Sequence, residues 1–137
     1  MRHLFLAALL CAALLGLSGS CQRQATLQGV TGEWGGAHIG LIASDTGAVI
    51  EYDCAHGSIS EAIRVDADGR FEVRGVHVRE HGGPIREGET LPGFPARYSG
   101  RVEGRRMRLT VILTETGEKV GTFDLERGAP AQVLKCL

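Results

Sequence analysis

Along most of the chain, apolar and polar residues alternate with period two, the signature of strands buried on one face. Ile39, Leu41 and Ala43 share one face of a strand that ends at Ser44-Asp45-Thr46-Gly47. Ile50, Tyr52 and Cys54 share a face of the next, so Cys54 is expected at the core-facing end of that strand. Ile63 and Val65 begin a third strand, Asp66-Ala67-Asp68-Gly69-Arg70 turns the chain, and Phe71 and Val73 continue the apolar face on a fourth. Gly69 suits the left-handed position of a short hairpin loop. The alternation changes phase at Gly75, and a bulge there would return Val76 and Val78 to the core side. Tyr98 and Val102 mark a fifth strand, and Met107, Leu109, Val111 and Leu113 a sixth with the cleanest alternation of all. Gly121, Phe123 and Leu125 follow Thr116-Gly117-Glu118. A three-residue loop there would set Arg108 against Glu126 and Thr110 against Asp124. Gln132 to Cys136 reads as a short last strand.

No window repeats apolar residues at helical spacing without interruption by Gly, Pro or β-branched runs. About eight short strands joined by tight turns predict an all-β domain: a single antiparallel up-and-down β-barrel, with a β-sandwich as the alternative. Closure into a barrel removes exposed sheet edges, which favours it for a meander of this size. The 20 glycines fit a turn-rich chain. The segment 82–95 (GGPIREGETLPGFP) is expected to be a long loop, a frequent site of binding.

The N-terminus does not belong to this pattern. Arg2 and His3 precede an unbroken apolar run from Leu4 to Leu17, and small residues Ser18-Gly19-Ser20 follow. That order reads as a secretory signal over residues 1–20, too short to span a bilayer comfortably. Cys21 comes directly after it and resembles the lipidated cysteine of bacterial lipoproteins, although Ser18 stands where an aliphatic residue is usual. Cysteine parity favours lipidation, because it leaves Cys54 and Cys136 to pair in an oxidising compartment. The domain boundaries expected are a signal over 1–20, a polar tether over 21–31 and the β-domain over 32–137. The expected location is the cell envelope, with soluble periplasmic or secreted protein as the alternative.

Gly32-Glu33-Trp34 resembles the glycine-x-tryptophan that opens the first strand of lipocalin-like and avidin-like barrels, whose tryptophan lies in the barrel floor. Through Trp34-Gly35-Gly36, Asp53-Cys54-Ala55-His56-Gly57 and Glu80-His81-Gly82-Gly83-Pro84 the chain also resembles small bacterial exported proteins. These resemblances imply a barrel and an envelope location, and no activity.

Candidate chemistry narrows the picture further. Cys54 and His56 have the residue types of a nucleophile and its base, but a disulfide from Cys54 to Cys136 would remove the free thiol that such chemistry needs. His77-Val78-Arg79-Glu80-His81 matches an inverted zinc-protease motif. The motif works on a helix, where i and i+4 are neighbours, and not on a strand, where four residues span about 13 Å. A looser metal site from His38, His56, His77 and His81 with Glu51 or Glu80 remains an alternative. Arg97, Arg101, Arg106 and Arg108 form an outward basic stripe next to Asp124 and Glu126. With a net charge of -1 and a single tryptophan, nucleic acid is not an expected partner. No catalytic residues, metal or cofactor are assigned. The expectation is a binding or accessory module with a membrane anchor, engaging a small ligand or an envelope protein through Trp34, His38, His56, His77, Glu80, His81 and Arg86. A metal protein or enzyme built on His56, His77, Glu80 and His81, and an inhibitor or purely structural protein, are the alternatives.

Overall fold

A computed structural model of the chain describes residues 27–137. The signal and Cys21 lie outside the described residues. Ten strands follow in order: β1 (Gln28–Gly29), β2 (Gly32–Gly36), β3 (Ile39–Ala43), β4 (Ala48–Tyr52), β5 (Ala55–Ile59), β6 (Arg64–Val65), β7 (Arg70–Arg79), β8 (Gly93–Glu103), β9 (Arg106–Leu113) and β10 (Lys119–Arg127). Eight of them close an antiparallel barrel in the order β10-β2-β3-β4-β5-β7-β8-β9, and β1 pairs separately with β6. The barrel expected from the alternation is therefore the fold, and the sandwich is not.

Alternation builds the core directly. The inward rows of β4 and β9 bury Ile50, Tyr52, Met107, Leu109, Val111 and Leu113, while their outward neighbours stay exposed or half-buried. Each fully buried large apolar side chain contributes about 1.5–3 kcal/mol relative to its exposed state. Ile39, Leu41, Ile50, Tyr98 and Leu109 fill the middle of the barrel, each no more than 1% exposed.

The two ends differ. At the first, β2 begins, β3 ends, and Val30 and Ile63 close over the core. Trp34 sits there under the Arg127 guanidinium, 4.6 Å above its ring, and its Nε1 donates to the Thr31 carbonyl at 3.3 Å. At the second end lie the β2–β3 and β4–β5 turns, the 80–92 loop and the β9–β10 turn. The seam between β10 and β2 is short, with only Glu126↔Gly35 and Arg127↔Trp34 paired, so the barrel splays at this second end.

Several local expectations are corrected. The β7–β8 register runs without interruption from Arg70↔Arg101 to Val78↔Gly93, so there is no bulge at Gly75. Phe71, Val73, Gly75 and His77 keep one phase, and Val76 and Val78 face outward. Tyr98 is the physical reason. A Cβ on Gly75 would lie 2.8 Å from its Cε2, and one on Gly57 would strike its hydroxyl, so both inward glycines make room for that ring. The hydroxyl donates to the Val76 carbonyl at 2.8 Å. The stretch 63–65 is not a barrel strand: β6 pairs with β1, although the turn at Gly69 (φ 76) forms as its position predicts. Cys54 does not end a strand on its core side. It occupies a two-residue turn, and Ala55–Ile59 returns as β5. Arg108 faces Asp124, and Arg106 faces Glu126, two residues from the expected register, because the β9–β10 turn is longer and a bulge falls between Lys119 and Gly121. The loop ends earlier than expected, since Gly93, Phe94 and Pro95 belong to β8. Residues 132–136 form no strand; they make one parallel bridge, Ala37↔Gln132.

Candidate functional site

Residues 129–137 form a strap that crosses the splayed end. Cross-strand partners Gly35 and Gly40 leave a flat strip on the outside of β2 and β3. Ala129, Pro130 and Ala131 lie on it, close enough that a Cβ on Gly40 would come within 2.6 Å of the Ala131 methyl. The strap then bonds to the turns. His38 N–H donates to the Gln132 carbonyl at 2.8 Å, Cys54 N–H to the Leu134 carbonyl at 3.3 Å, and Leu134 N–H to Asp53 Oδ1 at 2.7 Å. Cys54 and Cys136 form a disulfide that completes the attachment. His38 (φ 67) and Cys54 (φ 52), each the second residue of its turn, adopt left-handed backbone that L-residues disfavour by about 1–2 kcal/mol. The strap bonds both.

Below these turns a cleft of about 350 Å³ opens into the barrel between β10 and the β2–β3 and β4–β5 tips. Its floor is made by Tyr52 and His77, and Val120 and Phe123 of β10 form one wall. The rings are in contact: Tyr52 meets His77 edge-on at 5.2 Å between centroids and Phe123 at 5.5 Å. His77 is only 3% exposed, and neither its Nδ1 nor the Tyr52 hydroxyl has a hydrogen-bond partner among the described residues. Burial, reinforced by the positive Arg79 nearby, holds the His77 imidazole below its ordinary pKa. Burial pushes the Tyr52 phenol well above its own, so it stays protonated. The rim carries one hydrogen-bonded pair and one ion pair. His38 Nδ1 is 2.5 Å from Asp53 Oδ2, and Arg79 Nη2 donates to both Glu118 oxygens at 2.7 and 2.8 Å. The Leu134 amide, more than His38, lowers the Asp53 pKa.

The candidate binding residues are scattered. His38 and His77 reach the cleft. Trp34 lies at the opposite end of the barrel. His56 points outward from β5 and bonds Glu80 Oε1 at 2.8 Å, with the Lys135 ammonium bridging Glu80 and Glu51. His56 is the main cause of the lowered Glu80 pKa. His81 pairs with Glu89 at 2.6 Å in the 80–92 loop, where the Arg86 backbone amide bonds the same carboxylate group. His56, His77, Glu80 and His81 therefore do not converge, and among the described residues no group of three or more His, Cys, Asp or Glu side chains is placed to hold a metal. Four histidines stand apart, and His77 alone lacks a polar partner for its buried nitrogen. Tyr52, Arg79, Glu118, Val120 and Phe123 were not expected at the site. The unbroken phase of β7, visible only if Gly75 is taken as an inward residue, was the signal for His77 and Arg79 alone, while Tyr52 and Phe123 already lay on the apolar rows of β4 and β10.

Of what the sequence resemblances implied, the structure shows the eight-stranded antiparallel barrel. No family model matches the sequence, and no curated protein and no solved structure matches it either.

Proposed function

We propose that this is an exported, lipid-anchored binding module of the cell envelope that takes a small ligand in the cleft at its splayed end. The observation that carries the reading is the cleft floor, where a nine-tenths-buried histidine and a buried tyrosine keep polar atoms without partners in contact with aromatic walls. Small-molecule sites combine an apolar lining with a few polar groups, and this cleft carries both. The leader and Cys21 support export and anchoring through the sequence pattern alone.

A second reading, an envelope inhibitor or structural protein that works by its outer surface, is favoured by the packed middle of the barrel, which confines any ligand to one end. A fragment screen followed by amide and ring NMR shifts on the exported chain separates the two. Shifts clustered at Tyr52, His77, Val120 and Phe123 and suppressed by Val120→Trp support the cleft. Shifts confined to the outer strands would favour the second reading.

A further inference from the structure

We propose that the outer face of β7, β8, β9 and β10 is a docking surface for a linear acidic polysaccharide, which lies across the strands between two rows of cations. This surface is separate from the cleft and does not rest on it.

The strand register builds the rows. Arg70 pairs with Arg101 and Arg101 with Arg108, so three arginines stand side by side across three strands, in a row that ends at Asp124. Four residues along β7, Arg74 pairs with Arg97, and that row continues through Ile112 to Lys119. All six cations are exposed. Between the two rows run Glu72, Ser99, Thr110 and Thr122. Strand geometry sets the cationic rows about 13 Å apart, and four strands give each a length of about 14 Å.

The charge argument comes from what faces what. Like charges directly opposite one another destabilise an antiparallel pair. Among the described strands the register does this only at Arg70↔Arg101, Arg101↔Arg108 and Arg74↔Arg97, all on this face, and it sets no two carboxylates opposite each other. Neutralisation is incomplete. Arg101 Nε lies 3.0 Å from Glu103, Arg108 Nη1 3.4 Å from Asp124, and Arg97 Nε 3.9 Å from Glu72. Arg70, Arg74 and Lys119 have no carboxylate partner among the described residues. Exposed ion pairs of this kind contribute little, so the face keeps an excess of positive charge that a polyanion would balance.

The middle row argues for a sugar polymer. Ser99, Thr110 and Thr122 carry hydroxyls that can both donate to and accept from sugar hydroxyls, and the Thr110 and Thr122 oxygens lie 3.0 Å apart. The flanking guanidinium groups suit uronate carboxylates, which accept two parallel N–H bonds. No aromatic side chain stands in the three rows to stack on a nucleobase. The exposed large apolar side chains all lie outside them, so an anionic bilayer would meet charge here without apolar contact.

The test titrates the mature chain at pH 7.5 with oligogalacturonate, oligoglutamate and a neutral dextran oligosaccharide by NMR, and with phosphatidylglycerol vesicles by co-sedimentation. Oligogalacturonate should shift Arg97, Ser99 and Thr110, bind more tightly than the other three probes, and weaken steeply with added salt. Arg70→Gln combined with Arg74→Gln should weaken it about tenfold with no loss of Tm, because both side chains are exposed and without a carboxylate partner. Thr110→Val should narrow the gap between oligogalacturonate and oligoglutamate, and this comparison decides if the arginine variant melts earlier. Equal or tighter binding of oligoglutamate, dextran or vesicles overturns the proposal. So does unchanged oligogalacturonate affinity in the arginine variant, or the absence of shifts on this face. None of these results bears on the cleft, whose own test reads Tyr52, His77, Val120 and Phe123.

Discussion

His77 is the residue on which the site turns, and its environment has a consequence for stability. Its pKa is lowered in the folded chain, first by burial and then by the Arg79 charge. Above the unfolded value the imidazole is neutral in both states and contributes no pH dependence. As pH falls through the unfolded value, the unfolded chain takes up a proton that the folded chain refuses, so stability declines until the lowered folded pKa is reached. His81 acts with the opposite sign. Its pKa is raised by the Gly82 carbonyl and by Glu89, so its contribution is full below the unfolded value and fades as pH rises through the folded one. Asp53, Glu80 and Glu89 are lowered carboxylates, whose contributions hold above their unfolded values and are lost only in stronger acid. Replacing His77 by Phe should therefore flatten the decline in Tm between pH 7.5 and 5.5, whereas His81→Ala should steepen it. Melting curves of the three proteins at both pH values measure this directly. An unchanged pH slope in His77→Phe would show that the imidazole titrates as freely folded as unfolded.

Among the elements, the strap is held by groups that leave no trace in an alternation pattern. It is fixed by backbone amides of two turns, the Asp53 carboxylate and one disulfide. Cys54 and Cys136 are 82 residues apart, and in the chain-entropy model a loop of that length is worth about 4.5 kcal/mol, with about 2–4 kcal/mol the usual measured range. Cys54→Ala with Cys136→Ala should lower stability by about 2–4 kcal/mol in urea denaturation and speed amide exchange at Cys54 and Leu134. A loss under about 1 kcal/mol with unchanged exchange would mean that the hydrogen bonds alone hold the strap. The same contrast explains what could be read beforehand. Strands β3, β4 and β9 were legible because their inward residues are apolar and regular. β5 was not, because its inward Gly57 has no side chain: it serves the Tyr98 ring, which comes from β8. The phase of β7 was misread at Gly75 for the same reason, and with it the inward direction of His77. In the β9–β10 hairpin a slip of two residues kept every side chain on its own face. Arg108 therefore still meets an acid across the pair, although it is Asp124 and not Glu126. Pairing of Cys54 with Cys136 was legible from compartment and parity, while the turn that presents Cys54 was not.

For the whole molecule, the proposed anchor and the proposed binding cleft fall at opposite ends of the barrel. From Leu27, the first described residue, the chain reaches β2 at Gly32, at the end plugged by Trp34, Val30 and Ile63. β2 is five residues long and delivers the chain to the His38 turn at the rim of the cleft, about 13 Å away along the strand. A lipid on Cys21 would thus join the barrel from the plugged end, through a stretch of six residues that spans at most about 20 Å. The cleft would open away from the bilayer, accessible to molecules in the aqueous envelope rather than to lipids. Mass spectrometry of the mature N-terminal peptide should accordingly find Cys21 acylated, and an unmodified N-terminal cysteine would remove the anchor. With the anchor established, the affinity of any fragment found to shift the cleft residues should agree within about twofold between the lipidated chain on vesicles and a Cys21→Ser chain in solution, since a factor of two is only about 0.4 kcal/mol. A tenfold loss on vesicles would place the cleft against the membrane and reverse the assignment of the two ends.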